Sequence, residues 1–309
     1  MGLVPAARAT AHGGDGNSNA STILERLVAS GELLSIEIEA VRDASSREVF
    51  GGYAVAEEIG RGSTSTVYRC VEDRTGREVA VKVFSAGDPD RFEREVRLMT
   101  RLEHPHIVRL LDSGRVGPRI YLAMALVQGE NLASWIQARL FEERVRPGTE
   151  LLRQVAEAIG YAHDQGVLHR DLKPANVLVS GSSAFVTDFG LAVDGSSDRL
   201  TLSGTILGTA AYMAPEQALG LRVFDPRTDV YSMGGILYEL LTGRPPHLGE
   251  NALDVVERIR RGERPPIPRS IQPGIPVALE RLCLAALAWD PDDRPATAHE
   301  FGRELGRFR

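Results

Sequence analysis

Cysteine is nearly absent from this chain, at two of 309 residues, Cys70 and Cys283. They stand far apart in different contexts, so neither a disulfide framework nor a metal-ligand spacing can be read from them. Two free thiols suit a reducing compartment. Long apolar runs are missing as well. No stretch is long enough to span a bilayer, and the N-terminus lacks the charged-then-apolar pattern of a signal peptide. Met1-Gly2 starts as a myristoylation site would, but Ala6 stands where Ser or Thr is needed. These absences predict a cytoplasmic protein without a membrane segment. A basic excess is missing too. With 36 Lys and Arg against 42 Asp and Glu, the net charge of −6 predicts no nucleic-acid partner. The Arg-rich stretches at 258–264 and at the C-terminus read as solvated faces. What is plentiful is core material: 43% of residues are hydrophobic and 25% charged, enough for one large globular domain or two smaller ones.

The most informative stretch is His169-Arg170-Asp171-Leu172-Lys173-Pro174-Ala175-Asn176, followed twelve residues past that Asn by Asp188-Phe189-Gly190. A single Asp or Asn in a loop means little, but this set in this order is specific. Upstream, Gly60-Arg61-Gly62-Ser63-Thr64-Ser65-Thr66-Val67 has the form of a glycine-rich hairpin, and Val79-Ala80-Val81-Lys82 closes a strand. A lysine facing inward from a strand of Val and Ala needs a partner, because an unpaired buried ammonium is costly. Downstream come Ala214-Pro215-Glu216-Gln217 and Asp290-Pro291-Asp292-Asp293-Arg294-Pro295.

Together these strings resemble the eukaryotic-like (Hanks-type) serine/threonine protein kinase family in its bacterial branch, over about Tyr53 to Phe308. The resemblance implies an α+β fold of two lobes, a small antiparallel β-sheet lobe with one main helix and a larger, mostly helical lobe, with ATP between them. It implies transfer of the γ-phosphoryl of Mg-ATP to protein Ser/Thr hydroxyls. Asp171 would accept the hydroxyl proton, and Lys173 would steady the γ-phosphate. Asn176 and Asp188 would hold Mg²⁺, with Mn²⁺ as a substitute, since both offer hard oxygen donors. Lys82 would orient the α- and β-phosphates, held by Glu95, which precedes His104-Pro105 by nine residues. Glu93 is the alternative partner. ATP contacts would fall on Gly60, Gly62, Val67, Ala80, Lys82, Met124, Ala125, Val127, Leu178 and Asp188. Met124 takes the gatekeeper position, and the hinge is Ala125-Leu126-Val127. The sequence departs from the family in two places. Ser65 replaces the third loop glycine, which puts the tip's conformation in doubt, and Ala125 stands where many members carry Glu.

The resemblance also gives Arg170, Glu216, Asp229 and Arg294 structural roles. Glu216 would pair with Arg294, and Asp229 would clamp the catalytic-loop backbone. Thr201, Ser203 and Thr205 are candidate regulatory phosphoacceptors in the activation segment, 188–216. Autophosphorylation there would call for a transient homodimer. Two rivals are a pseudokinase serving as a nucleotide-binding scaffold and a kinase-fold small-molecule phosphotransferase. A pseudokinase normally shows a lost Lys, Asp or metal ligand. Small-molecule enzymes generally lack the platform ending in Ala-Pro-Glu.

In chain order, residues 1–20 are rich in Gly, Ala, Asn and Ser and read as a disordered tail. Residues 21–52 form an appendix expected to pack on the small lobe. Thr22-Ile23-Leu24-Glu25 has the form of a capping box, and Leu34, Ile36, Ile38 and Ala40 alternate as a strand would, although a continuing helix fits nearly as well. The small lobe spans 53–129. It holds a three-strand meander to Val83, an amphipathic helix at 91–102, and strands at 107–111 and 120–126. The large lobe spans 130–309, with helices expected at 131–140, 150–165, 229–241, 250–262, 276–288 and 296–306, and a hairpin at 177–186. His163 lies on the apolar face of the second of these helices, as a satisfied packing residue more readily than a ligand.

Overall fold

The computed structural model describes residues 49–62, 65–84, 96, 99–117, 119–189, 210–221 and 225–308. The tail, nearly all of the appendix, Glu93, Glu95, Gly190, Thr201, Ser203 and Thr205 lie outside them.

Strand β1 (Val49–Phe50) is followed by β2 (Tyr53–Arg61), β3 (Ser65–Glu72), β4 (Glu78–Phe84), β5 (Leu110–Val116) and β6 (Arg119–Ala125). They make one sheet in the order β1-β2-β3-β4-β6-β5. The two-residue side-chain period of a strand divides β4. Val79, Val81 and Val83 enter a core with Phe50, Tyr53, Cys70, Tyr121 and Ala123, which leaves Ala80 and Lys82 for the opposite face.

The strand expected at 107–111 begins instead at Leu110 and runs through Asp112-Ser113-Gly114-Arg115 to Val116. As an edge strand it needs only one apolar face, so its polar middle hides it from a search for Val- and Ile-rich runs. Ile107 makes only an isolated parallel bridge to Val186. Of the segment 91–102 expected as a helix, residues 96 and 99–102 are described; Val96 and Met99 are helical and, with Leu102, buried in the same core cluster as Leu122.

The second lobe begins where β7 (Glu130–Asn131), β8 (Val177–Ser180) and β9 (Ser183–Val186) form a small sheet. Gly129 leads into it because a β-carbon there would strike the Val179 carbonyl. Helix α1 (Leu132–Gln137) is shorter than expected and is capped by the Asn131 side chain, which accepts from Ser134 N–H at 2.9 Å. Helix α2 (Phe141–Asp164) starts nine residues before its expected beginning and passes through Pro147-Gly148. That dipeptide reads as a break, because proline removes a helical donor. The reason it stays helical lies in tertiary packing. A β-carbon on Gly148 would come within 2.5 Å of Leu240 Cδ2, so the glycine lets α2 press closely on its neighbour, and Arg144 Nε donates to Leu240 O at 2.9 Å.

That neighbour is α4 (Arg227–Thr242), preceded by the single turn α3 (Pro215–Ala218). From Thr228 to Leu241 every residue of α4 is buried, as expected of a helix that is apolar almost all round. Helix α5 (Ala252–Arg260) packs on α3, while α6 (Pro268–Ile271), α7 (Val277–Ala286) and α8 (Ala298–Leu305) pack on α4. Asn251 and Thr297 cap α5 and α8 through their side chains.

Burial has one consequence that pH can read. His247 lies 2.8 Å from the Tyr231 hydroxyl, and both residues are buried. Desolvation lowers the His247 pKa from 6.5 to about 4. Below pH 6.5 the unfolded chain takes up a proton that the folded protein refuses, so stability falls as pH drops through this window. Denaturant unfolding at about pH 5 should show about 2 kcal/mol lost relative to about pH 7, a loss missing from His247→Gln. Equal losses in parent and variant would show that this histidine does not titrate on unfolding.

Candidate active site

The catalytic loop is shaped by its main chain. Arg170 and Asp188 have φ of 64° and 65°, the left-handed region, and among the described residues they are the non-glycines that do. Such a conformation costs on the order of 1–3 kcal/mol unless its surroundings impose it. Both residues border the same site.

What imposes it at Arg170 is a carboxylate beneath the loop. Asp229, near the start of α4, accepts from His169 N–H at 2.8 Å through Oδ2 and from Arg170 N–H at 2.8 Å through Oδ1. His163 of α2 also lies on Oδ2, with Nε2 at 2.8 Å. Burial alone would raise the Asp229 pKa. The bonds from His163 and His169 outweigh it and hold the carboxyl below its ordinary value. His163 is thus tied into the loop's support, and among the described residues no group of three or more His, Cys, Asp or Glu forms a metal cluster. The His169 ring reaches the other way, with Nε2 2.9 Å from Thr187 O and its centre 4.8 Å from that of the tilted Phe189 ring.

Above this support Asp171 is bonded on two sides. Lys173 Nζ lies 2.9 Å from Asp171 Oδ2. Asn176, which ends a 3₁₀ turn over Pro174–Asn176, donates through Nδ2 to Asp171 O at 2.8 Å and to Oδ2 at 3.2 Å. Thr187 N–H donates to Asn176 O at 3.0 Å, which ties the loop to the strand end bearing Asp188. Across the cleft, Lys82 Nζ meets Asp188 Oδ1 at 2.7 Å, both side chains largely buried.

By strand register, several of the residues expected to contact nucleotide are neighbours of one another. Gly60 pairs with Val67, Val67 with Lys82, Ala80 with Met124 and Val79 with Ala125, while Leu178 on β8 pairs with Asn131. The first turn closes through Gly62 N–H to Ser65 O at 2.8 Å. Ala125 N–H is bonded to Arg109 O at 2.9 Å.

Beside the loop, Arg294 forms a two-pronged pair with Glu216, at 2.8 and 2.9 Å, and Thr228 Oγ1 adds 2.8 Å to Glu216 Oε1. Burial pushes the Glu216 pKa up, but the Arg294 bonds and charge more than offset it, so the carboxyl sits below its ordinary value. The sequence reading did not single out the direct bond from Lys82 to Asp188, nor the bond from Gln217 Nε2 to Arg170 O at 2.7 Å. Neither had a cue in the sequence, since the position of Gln217 three residues after Ala214 points only to the cap that its Oε1 makes with Ala214 N–H.

The metal-binding fit can be judged from the donor atoms. The Asn176 amide nitrogen is engaged by Asp171, which leaves its carbonyl oxygen for a ligand. Asp188 gives one oxygen to Lys82 and retains the other. Two hard oxygens from two residues suit a divalent ion completed by water and phosphate, and not a closed protein cage.

Comparison with known proteins shows the family. The protein kinase domain family matches residues 53–303. Serine/threonine-protein kinase PknB of Mycobacterium leprae (strain TN) is 37% identical over 270 residues, covering 82% of this chain and 42% of the relative. Serine/threonine-protein kinase PknE of Mycobacterium bovis is 36% identical over 265 residues, with 82% and 46% covered. The probable serine/threonine-protein kinase PknB of Corynebacterium glutamicum is 37% identical over 275 residues, with 83% and 42% covered. The chain spans less than half the length of these relatives. With a kinase domain matched along most of its length and a two-lobed fold, the chain belongs to the protein kinase family, in the Hanks-type serine/threonine branch represented by these bacterial relatives.

Proposed function

We propose that this chain transfers the γ-phosphoryl group of ATP to serine and threonine hydroxyls of proteins, using Mg²⁺, with Mn²⁺ able to substitute through the same oxygen donors. The observation that carries the reading is the convergence of Asp171, Lys173 and Asn176 on one loop, facing the Lys82–Asp188 pair. None of the residues whose loss marks a pseudokinase is replaced. The printed names of the relatives point to serine and threonine as acceptors.

Each residue has a definite task in this reading. Asp171 orients the acceptor hydroxyl and takes its proton, in the position that Asn176 fixes from below. Lys173, already beside Asp171, places a positive charge where the transferring group develops negative charge. Lys82 orients the α- and β-phosphates, with Glu95 as the partner that steadies it. Asn176 and Asp188 hold the metal ion, which neutralises phosphate charge when bound. Gly60, Gly62 and Val67 cover the nucleotide, with Ala80, Met124 and Leu178 flanking the base. The Ala125 N–H is engaged, so adenine bonding falls to the remaining main-chain groups of 125–127. Asp229, Glu216 and Arg294 support the loop and platform.

Among the described residues no helix is long and apolar enough to cross a membrane. Both cysteines are free and buried, which suits a reducing compartment and a cytoplasmic location for this domain. Its partners in this reading are protein substrates, and the net charge of −6 gives no basis for nucleic acid.

The same reading includes activation by phosphorylation at Thr201 or Ser203, with Thr205 nearer the peptide platform and Arg170 as the receiving cation, through a transient homodimer. A phosphate adds about two negative charges and can order a segment through arginine contacts. Replacing Thr201 and Ser203 together with Ala should lower initial rates after ATP pre-incubation by about tenfold or more, the equivalent of one charge-assisted hydrogen bond. A double variant as fast as the parent would remove the switch from the account. The function itself is tested by phosphosite mapping after incubation with Mg-ATP.

A further inference from the structure

Arg170 is held in its left-handed conformation through both peptides that flank its α-carbon. Asp229 takes its N–H at 2.8 Å. Its carbonyl accepts from Gln217 Nε2 at 2.7 Å. Gln217 is the third residue of α3, and its Oε1 accepts from Ala214 N–H at 3.0 Å. The two bonds have opposite polarity, so they fix which end of the amide faces Arg170. Directly before Gln217 stands Glu216, locked to Arg294 and Thr228. Directly after Arg170 stands Asp171. A rigid chain of contacts therefore runs from the buried Arg294, through α3, to the peptide that carries the acceptor-orienting carboxylate.

We infer that Gln217 is a positioning residue for phosphoryl transfer: its amide N–H, donated to the Arg170 carbonyl, fixes the peptide preceding Asp171 and couples the peptide-binding platform to the catalytic loop. The inference rests on the kinase reading above for its rate effect, but not for its structural effect. Asp229 fixes the His169–Arg170 peptide through its N–H, and the next peptide, Arg170–Asp171, is held at its own N–H by a long bond of 3.3 Å to His169 Nδ1. The 2.7 Å bond from Gln217 to the Arg170 oxygen is the shorter of the two anchors on the Arg170–Asp171 peptide. Displacements of about 1 Å at a reacting group cost up to about 100-fold in rate.

Two substitutions separate the donor from the bulk of the side chain. Gln217→Glu keeps size and the acceptor for Ala214 N–H but cannot donate when ionised. Gln217→Met keeps length and loses both bonds. In each, kcat toward a protein acceptor should fall by about tenfold or more while KM for ATP stays within about twofold, because the nucleotide side of the cleft is untouched. Amide hydrogen exchange of the peptide covering 169–172 should rise in both variants, with α7 and α8 unchanged. An unaltered kcat in Gln217→Glu, or a loss confined to that variant and absent from Gln217→Met, overturns the inference. If the parent itself transfers no phosphate, the kinase reading fails, and exchange alone then decides Gln217: unchanged exchange at 169–172 overturns its role.

Discussion

Asp171→Asn is expected to reduce phosphoryl transfer by about 10²- to 10⁴-fold, the contribution of a positioned general base, with melting temperature and ATP affinity close to the parent's. The environment of Asp171 explains why the loss should be so selective. The loop's shape is set by main-chain bonds to Asp229, not by the Asp171 side chain. The bond from Asn176 Nδ2 to Asp171 O involves a carbonyl that the substitution leaves in place. Asparagine can still accept from Lys173 through its amide oxygen. What it cannot do is take a proton from the acceptor hydroxyl at neutral pH. A generic acceptor protein phosphorylated at an undiminished rate by this variant would show that Asp171 has been given the wrong role.

The largest stability effect is expected at Arg294. Its side chain is fully buried, and it bonds both oxygens of Glu216 and the carbonyls of Ala288, Trp289 and Arg227 at 2.8–3.1 Å. Its guanidinium also lies 5.0 Å from the Tyr231 ring centre. Arg294→Met would leave Glu216 buried with Thr228 as its remaining side-chain donor. Breaking one half of a buried pair costs about 3–5 kcal/mol, or roughly 10 °C of melting temperature for a domain of this size. Glu216→Gln with Arg294→Met should recover part of it, because no charge is then left unpaired. The pair also carries a pH signature. The Glu216 pKa is held below the ordinary 4.5, so its stabilisation is present above that value and lost as pH falls through the folded pKa. An Arg294→Met melting temperature within about 2 °C of the parent's corresponds to a loss of less than about 1 kcal/mol, and would mean that the pair contributes little net stability.

Legibility in the sequence followed the range of the interactions. The meander to Phe84 and the 177–186 hairpin are local, and period-2 alternation with glycine or polar turns marks them. The helix Arg227–Thr242, buried from Thr228 to Leu241, is marked by its composition. Two elements have bounds that differ from expectation, for opposite reasons. The strand Leu110–Val116 is stabilised by pairing with β6, so its Asp, Ser, Gly and Arg do not need to look like a strand. The helix Phe141–Asp164 survives Pro147 because Gly148 packs on Leu240, a contact between residues far apart in the chain that no window of sequence contains.

The same division holds around the cleft. The string from His169 to Asn176 names its residues because the chemistry requires those types close together. The supports come from far away: Asp229, 60 positions from His169, was named only through the family resemblance, and Gln217, 47 from Arg170, was not named at all. His163 illustrates the limit. Its place on an apolar helix face suggested packing, while its bond to Asp229 became visible only once α2 and α4 were side by side.

The measurement that tests the central claim most directly is phosphosite mapping by mass spectrometry after the purified chain and a generic acceptor protein are incubated with Mg-ATP, beside Asp171→Asn. The account predicts phosphate on serine and threonine of the acceptor and on the 188–216 segment of the parent, with neither formed by the variant. Nucleotide binding without phosphate on any protein side chain, or equal modification by parent and variant, would contradict it.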